Sequence, residues 1–361
     1  SPSAVLSGIA RAARSGVLIK GGAHLENAGS ADVIVFDKTG TLTRGKPQVT
    51  DVWSAGGLSG DELLRLAAAI ETRSGHPLAA AIVRAAEARG LALPEVGAFE
   101  AVKGKGVRAT VAGAELFIGN DKLMQDAGVA LSGDLERRNE ALEREGKTSM
   151  LVARGGQLVG ILAVRDEPRE AAKETIAALK RQGVKHTVML TGDNRLVAEA
   201  VGRELGIAEV KAELLPEDKV AAVEVLKQRY KKLIMVGDGV NDAPAMVAAD
   251  VGIAMGGAGT DVALETADIA LMADDLSKLP YAVALSRASR RMIVQNLIIS
   301  LGVIAFLVPS AILGLASIGV AIVFHEASTL VVVANALRLL GFKDRRSIKG
   351  AAPRAVATSA A

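Results

Sequence analysis

Two long apolar runs near the C-terminus constrain the fold of this chain more than any other feature. They cover residues 293–314 and 316–340, and each matches the roughly 20 residues that cross a bilayer as a helix. Basic side chains flank the outer ends of the two runs: Arg287, Arg290, Arg291, Arg338, Lys343, Arg345 and Arg346. Because Lys and Arg are enriched on cytoplasmic flanks, both ends are expected to face the cytoplasm. The pattern predicts a transmembrane hairpin over residues 285–341, with two buried core helices of a soluble protein as the alternative.

The composition of the whole chain argues against some classes of partner. Lys and Arg number 43 against 40 Asp and Glu, a formal net charge of +3, and aromatic residues make up 2%. A nearly balanced charge with few stacking side chains gives no indication of a nucleic acid partner. The chain contains no cysteine, so it forms neither a disulfide nor a thiolate metal site.

Hydrophobic patterning divides the remaining chain into a split α/β domain and an insertion. Residues 33–36 form a short, wholly apolar run typical of a buried parallel strand. Strands of the same character alternate with helices after residue 169, which predicts a doubly wound parallel sheet. The predicted boundaries are 1–20 for the end of a truncated membrane helix, 21–46 and 156–280 for the two parts of the α/β domain, 47–155 for the inserted domain, 285–341 for the hairpin and 342–361 for a disordered tail.

Polar clusters follow three of the predicted strands. They comprise Asp37, Thr191, Asp193, Asp238 and Asp242, with Lys219 opening a helix before the third strand. Ligands of open parallel sheets bind at the carboxyl ends of the strands, so these groups are expected to converge. Any one of these aspartates alone would be read as a loop cap. Their order along the chain instead predicts phosphoryl transfer.

Each group has a predicted role in that chemistry. Asp37 is the candidate nucleophile. Asp238 and Asp242 provide the oxygen ligands that Mg²⁺ requires. Thr191 and Lys219 are expected to hydrogen-bond and neutralise the transferring phosphoryl group.

The segments DKTGTLT, TGDN and GDGVNDAPA together resemble the P-type ATPases, and nearly the whole chain is similar to their heavy-metal-transporting (type IB) subfamily. The resemblance implies a haloacid-dehalogenase-like, doubly wound phosphorylation domain with an inserted α+β nucleotide-binding domain. It implies that Asp37 becomes a phosphoaspartate, with Lys38 and Thr39 in the catalytic set. It also implies that the Thr39 carbonyl oxygen joins the Mg²⁺ ligands.

The residue type at position 39 helps to distinguish an ion pump from a soluble phosphatase of the same fold. Related soluble phosphatases carry an acid two residues after the nucleophile, where this chain has Thr39. A missing general acid lengthens the life of the phosphoenzyme, which suits a pump. A membrane-tethered phosphatase of the same fold is the alternative. A non-enzymatic membrane protein is a third reading, but it would require degenerate catalytic clusters, and these clusters look intact.

The inserted region carries a second part of the resemblance, to the nucleotide-binding domain of the same subfamily. The residues that it implies as ATP contacts are Glu71, His76, Gly104, Gly106, Gly119 and Asn120, together with Gly192 and Asp193 from the phosphorylation domain. Glycines permit close approach to the nucleotide, and Glu71 could accept a hydrogen bond from the adenine amino group. A lone histidine such as His76 is otherwise more often a packing or capping residue.

The second apolar run contains His325 and Glu326, and ionisable groups inside a membrane are costly and therefore usually functional. On a helix His325, Ser328 and Thr329 share one face, and their N and O donors fit a divalent transition-metal cation. The motif resembles that of the cobalt-type subgroup, with Ala327 in place of the usual glycine. Zinc, cadmium or lead is the alternative cargo. Asn335 is expected either to support the same site or to bond the two helices together.

The resemblance also implies parts that this chain lacks. They are the actuator domain and the remaining membrane helices, including the one with a Cys-Pro-type motif. We therefore expect a cell-membrane protein with cytoplasmic catalytic domains that exports its cation with ATP and Mg²⁺. The fragment alone is expected to bind ATP and to autophosphorylate, but not to transport.

Overall fold

The structure is a computed structural model that describes residues 2–131, 133–239, 242–256, 265–315 and 317–343. It separates into two compact units. Unit 1 contains Ser1–Asp37, Ala171–Val188 and Pro216–Ala361. Unit 2 contains Lys38–Glu170 and Met189–Leu215. The predicted tail falls almost wholly outside the described residues.

The strands follow one another as β1 (Val17–Ile19), β2 (Val33–Asp37), β3 (Gln48–Ser54), β4 (Val96–Val102), β5 (Gly106–Val111), β6 (Ala114–Gly119), β7 (Thr148–Arg154), β8 (Gln157–Arg165), β9 (His186–Leu190), β10 (Glu209–Lys211), β11 (Leu233–Gly237), β12 (Val251–Gly256) and β13 (Ile269–Met272). The helices are α1 (Pro2–Arg14), α2 (Gly22–Gly29), α3 (Gly60–Glu71), α4 (Pro77–Ala88), α5 (Asp121–Asp126), α6 (Gly133–Arg144), α7 (Ala172–Arg181), α8 (Arg195–Leu205), α9 (Pro216–Arg229), α10 (Ala243–Ala248), α11 (Lys278–Ile312) and α12 (Ile318–Leu337).

Within unit 1 the first sheet runs in the order β1-β13-β12-β11-β2. β11 runs parallel to both β12 and β2, and every residue of β2 and β11 is buried. Strands covered on both faces are selected for continuous apolar sequence, which is why VIVF was readable as a strand. Because β2 and β11 are parallel, Asp37 and the segment after Gly237 leave the sheet at the same edge.

Strand β1 was not predicted from the sequence. Val17–Ile19 pairs antiparallel with Ile269–Leu271 at the sheet edge. Three residues are too few to show an alternating pattern, so only the tertiary pairing defines the strand.

Helix α11 is 35 residues long, about 52 Å at 1.5 Å per residue. Its first part is buried, including Leu279, Val283 and Leu285, whereas Leu301, Phe306 and Ile312 are exposed. Helices α11 and α12 are both long and apolar enough to cross a bilayer. This arrangement agrees with the predicted membrane hairpin and contradicts the alternative of two buried core helices.

The second sheet belongs to unit 2 and has six strands in the order β3-β8-β7-β6-β5-β4, all in antiparallel pairs. One core packs α3 and α4 on this sheet through residues such as Leu63, Ile70 and Ile82. A second core contains Leu123, Met124 and Leu142 from α5 and α6. The sheet includes β8, beyond the predicted boundary at residue 155, because the hairpin at Gly155-Gly156 returns β8 between β7 and β3.

Candidate active site

The candidate nucleophile lies in a buried charge cluster of unit 1. Asp37 ends β2 and is 3% exposed. The Lys219 ammonium, in the first turns of α9, donates to Asp37 Oδ1 at 2.5 Å and to Asp242 Oδ1 at 2.9 Å. Sequence reasoning predicted this convergence of Asp37, Lys219 and Asp242, and the structure brings the three together.

Burial and like charge control the protonation of this cluster. Burial, followed by the Asp242 carboxylate, raises the pKa of Asp37 to about 7, although the Lys219 ammonium opposes the shift. Asp238 is close enough to add to the rise. Burial alone would lower the pKa of Lys219, but the two carboxylates raise it above its ordinary value, so the amine stays charged. One ammonium therefore faces two carboxylates, and Asp238 adds a third acidic group near Asp37, so the acidic groups of the cluster outnumber its cation.

The same cluster fits Mg²⁺. Asp242 is 1% exposed, and its Oδ2 atom is buried without a hydrogen-bond partner among the described residues. An unpaired buried carboxylate oxygen is costly unless a cation completes it. Oxygen donors with excess negative charge are the set that Mg²⁺ prefers. Asp37, Asp238 and Asp242 are the unit 1 residues that would hold it.

The segment after Asp37 turns sharply in unit 2. Thr39 has φ −75° and ψ 128°, and Gly40 has φ 75° and ψ −14°. These values define a type II turn, whose third position requires a positive φ and therefore favours glycine. The sequence DKTGT is thus fitted to reverse the chain immediately after the nucleophile. Val240 and Asn241, within GDGVNDAPA, lie outside the described residues.

Lys38 is buried and forms an ion pair with the partly buried Asp193 in unit 2. Thr191 Oγ1 donates to Asp193 Oδ2 at 2.9 Å, and the Asp193 N–H donates back to Thr191 Oγ1 at 3.1 Å. Gly192 lies between them, where an added Cβ would be 3.2 Å from the Leu214 carbonyl oxygen. The structure therefore brings Lys38, Thr191 and Asp193 together, with Asp193 acting as the acceptor for both neighbours.

Two residues that hold the turn after Asp37 were not predicted from the sequence. The Asp166 carboxylate accepts from Thr43 Oγ1 at 2.5 Å, from the Gly45 N–H at 3.2 Å and from the Lys46 N–H at 3.1 Å. Arg169 donates to the Gly40 carbonyl oxygen at 2.8 Å and to the Thr43 carbonyl oxygen at 3.0 Å. The signal in the sequence was Asp-Glu-Pro-Arg directly after a strand.

Four of the predicted nucleotide contacts form one local structure. Gly106 pairs with Gly119, and a Cβ on either would lie 2.1 Å from a backbone oxygen. Asn120 caps α5 through a bond from the Leu123 N–H, and its amide donates to the Gly104 carbonyl oxygen at 3.0 Å. Close backbone approach of β5 and β6 therefore accounts for Gly106 and Gly119 before any ligand is considered.

Glu71 and His76 lie at the two ends of the α3–α4 connection. Glu71 is 3% exposed, and burial raises its pKa to about 7, with Ser74 opposing the shift. His76 is the N-cap of α4, where its Nδ1 accepts from the Leu78 N–H at 3.2 Å. The capping role foreseen for a lone histidine is thus present. It leaves Nε2 of the exposed ring as the nitrogen that can meet a ligand.

The predicted cargo ligands lie on α12. The hydroxyls of Ser328 and Thr329 both donate to the His325 carbonyl oxygen, at 2.7 and 3.2 Å. The side chains of His325 and Glu326 are exposed, and no group of three His, Cys, Asp or Glu side chains converges on one point within the described ranges. Asn335 Nδ2 donates to Asn296 Oδ1 at 2.9 Å, so Asn335 joins α12 to α11, which is the second of its two predicted roles.

Comparison with known proteins adds an independent result. The haloacid dehalogenase-like hydrolase family matches residues 31–250. The "Probable cadmium-transporting ATPase" of Staphylococcus aureus is 42% identical over 96% of this chain and 43% of its own length. Copper-exporting relatives match at similar identity.

Solved structures agree with these sequence matches. A zinc-transporting PIB-type ATPase in its E2.Pi state is 47% identical, with a TM-score of 0.70 over 94% of this chain and 55% of its own. The catalytic domain of the CPx-ATPase CopB-B is 31% identical, with a TM-score of 0.58 over 77% of this chain and 98% of its own. The chain spans about half the length of the curated relatives that it matches.

Proposed function

The chain belongs to the heavy-metal (type IB) P-type ATPases, which carry a haloacid dehalogenase-like domain, and from this premise we propose that it couples ATP hydrolysis to movement of a divalent metal cation across a membrane. The observation that carries the proposal is the buried Asp37, held at a sheet edge against Lys219 and Asp242. We place the protein in the cell membrane with both units cytoplasmic, apart from the two apolar helices.

The proposed reaction starts with an Asp37 carboxylate oxygen attacking the γ-phosphorus of ATP. The bond from that phosphorus to the bridging oxygen breaks, and ADP leaves. Lys219 keeps its charge because two carboxylates face it, so it can offset the negative charge that arrives with the phosphoryl group. Mg²⁺, when bound, supplies further positive charge for the phosphate oxygens.

Glu71 is proposed to recognise the adenine base. Burial favours its neutral carboxyl form, which donates one hydrogen bond and accepts another. The adenine edge offers the complementary pair, an amino donor beside a ring nitrogen acceptor. The turn at Gly104, bonded to Asn120, and the Nε2 atom of His76 are proposed to contact the rest of the nucleotide.

Cobalt or another divalent cation such as zinc is proposed as the cargo. His325 and Glu326 provide N and O donors on α12, a set that suits borderline to hard divalent ions. Relatives named for cadmium, copper and zinc match at similar identity, so the proposed ion rests on these membrane residues alone. The remaining ligands would come from membrane helices outside this chain.

The test is the phosphoenzyme. A protein carrying this chain and its other membrane helices is incubated in detergent with γ-labelled ATP, Mg²⁺ and a panel of Co²⁺, Zn²⁺, Cd²⁺ and Cu⁺. We expect acid-stable, hydroxylamine-sensitive label that depends on one divalent cation and disappears in Asp37→Asn. Asp134→Asn, an exposed aspartate on α6, is the matched control and should retain the label.

Two results would reject the proposal. Label that persists in Asp37→Asn would place the nucleophile elsewhere. Phosphatase activity without any metal-dependent label would favour the membrane-tethered phosphatase of the same fold.

A further inference from the structure

Six basic side chains belong to three segments that pack together at one end of the membrane hairpin, and we name them the basic collar. They are Arg11, Arg14, Arg290, Arg291, Arg338 and Lys343. They come from α1, from α11 just before its apolar part, and from the segment after α12. The sequence already placed the last two segments on one side of the membrane, and the fold adds α1 to them.

Direct contacts fix α1 against the end of the hairpin. Arg11 Nε donates to the Phe342 carbonyl oxygen at 3.0 Å. The Arg11 guanidinium carbon lies 5.9 Å from the centre of the Tyr281 ring, and the Tyr281 ring centre is 5.9 Å from that of Phe342. Helix α1 also packs on both α11 and α12. Arg11 and Lys343 are therefore held at the same end of the hairpin.

The charge of the collar has little compensation within the chain. Helices α1 and α11 contain no Asp or Glu, and the only acid of α12 is Glu326, about 18 Å along the axis from Arg338. None of the six side chains forms an ion pair within the part of the chain that the structure describes, whereas Arg137, Arg144 and many other basic residues do. Beyond Lys343 the sequence continues as Asp-Arg-Arg and adds further positive charge.

The collar also borders an exposed apolar surface. Val294 is 44% exposed and Leu297 55%, directly after Arg290 and Arg291. Leu337 is 51% exposed beside Arg338. A soluble acidic partner would not require exposed apolar side chains next to the cations. A phospholipid, with its headgroup above its acyl chains, requires both.

We propose that the basic collar binds anionic phospholipid headgroups of the cytoplasmic leaflet in preference to zwitterionic ones. The inference depends on the two helices spanning a bilayer, but not on ATP hydrolysis. An exposed cation near an anionic membrane surface contributes roughly a fivefold preference, so three of them are sufficient for a clear enrichment.

The test measures which lipids the protein retains. The full chain is reconstituted in phosphatidylcholine with a minor fraction of phosphatidylglycerol, extracted in mild detergent, and its bound lipids are quantified by mass spectrometry. We expect the phosphatidylglycerol share to exceed the input severalfold. It should fall to near the input in the triple variant Arg290→Gln, Arg291→Gln, Arg338→Gln, and should recover when the same positions carry Lys.

A matched control separates the collar from overall charge. Arg89→Gln, Arg137→Gln and Arg144→Gln remove the same charge from exposed sites of unit 2 and should leave the enrichment intact. Equal loss in this control, or no loss in the collar variant, would overturn the proposal. So would displacement of the lipid by inorganic phosphate, which would indicate a free-anion site. Phosphoenzyme formation is scored separately, so its failure would leave this result standing.

Discussion

Replacing Lys219 with Gln tests whether its ammonium offsets the negative charge of Asp37 and Asp242. The side chains of Lys219, Asp37 and Asp242 are 15%, 4% and 1% exposed, so removing the ammonium leaves two buried carboxylates facing each other. Breaking a buried pair in this way costs about 3 to 5 kcal/mol. At the lower value, hydrogen exchange of the β2 and β11 amides should lose roughly 100-fold of its protection. Mg²⁺ should restore part of the protection in the variant, because it replaces positive charge beside the same oxygens.

Two further variants make this prediction specific. Lys232→Gln is the control, because its amine pairs with Asp250 at 3.1 Å while 37% exposed, and such pairs contribute about 1 kcal/mol or less. Adding Asp37→Asn to Lys219→Gln should recover protection, since it removes one of the two facing charges. If Lys219→Gln exchanges no faster than Lys232→Gln, the ammonium does not hold the cluster together and the electrostatic reasoning is wrong.

Three other changes probe unit 2. Because burial raises the pKa of Glu71 to about 7 from 4.5, the folded state loses stability as pH rises between those values. Glu71→Gln should therefore raise the free energy of opening measured by hydrogen exchange in α3 by up to about 3 kcal/mol at pH 8, but not at pH 4. ATP binding should be retained, and the control Glu87→Gln, at an exposed position, should change nothing. Asp166→Asn leaves the Gly45 and Lys46 N–H donors facing an amide. It should speed hydrogen exchange of residues 40–46 at least tenfold and slow phosphorylation. Glu170→Gln removes only an exposed ion pair and should do neither. Gly119→Ala places a Cβ 2.1 Å from the Lys105 carbonyl oxygen. Hydrogen exchange should show β5–β6 pairing weakened by about 1 to 3 kcal/mol, and calorimetry should show a lower affinity for ATP. A variant with unchanged pairing and affinity would contradict the close approach of the β5 and β6 backbones.

Some elements were predictable from the sequence because their signal is local. The wholly apolar strand ending in Asp37, the hairpin with Gly155-Gly156 at its turn and the two membrane-length runs each depend on adjacent residues. The candidate nucleophile and its partner Lys219 were predictable too, because parallel strands bring their carboxyl ends to one edge. Helix α1 was less clear, since 13 residues with two arginines near the C-terminal end do not reveal what they pack against.

What the sequence by itself predicted is therefore the class of chemistry: a carboxylate at a strand end with oxygen ligands for Mg²⁺, a membrane hairpin and, through the family resemblance, a nucleotide-binding domain. The tertiary structure decided how these groups are used. Only spatial proximity sets Lys219 between two carboxylates, gives Asp193 two donors and makes Asp166 an acceptor for the turn from 43 to 46. Only packing fixes Asn296 as the partner of Asn335 and adds α1 to the basic residues that flank the hairpin. Hydrogen bonds and Coulomb forces act over a few ångströms in space, and a linear sequence records neither the distances nor the burial that decide their strength.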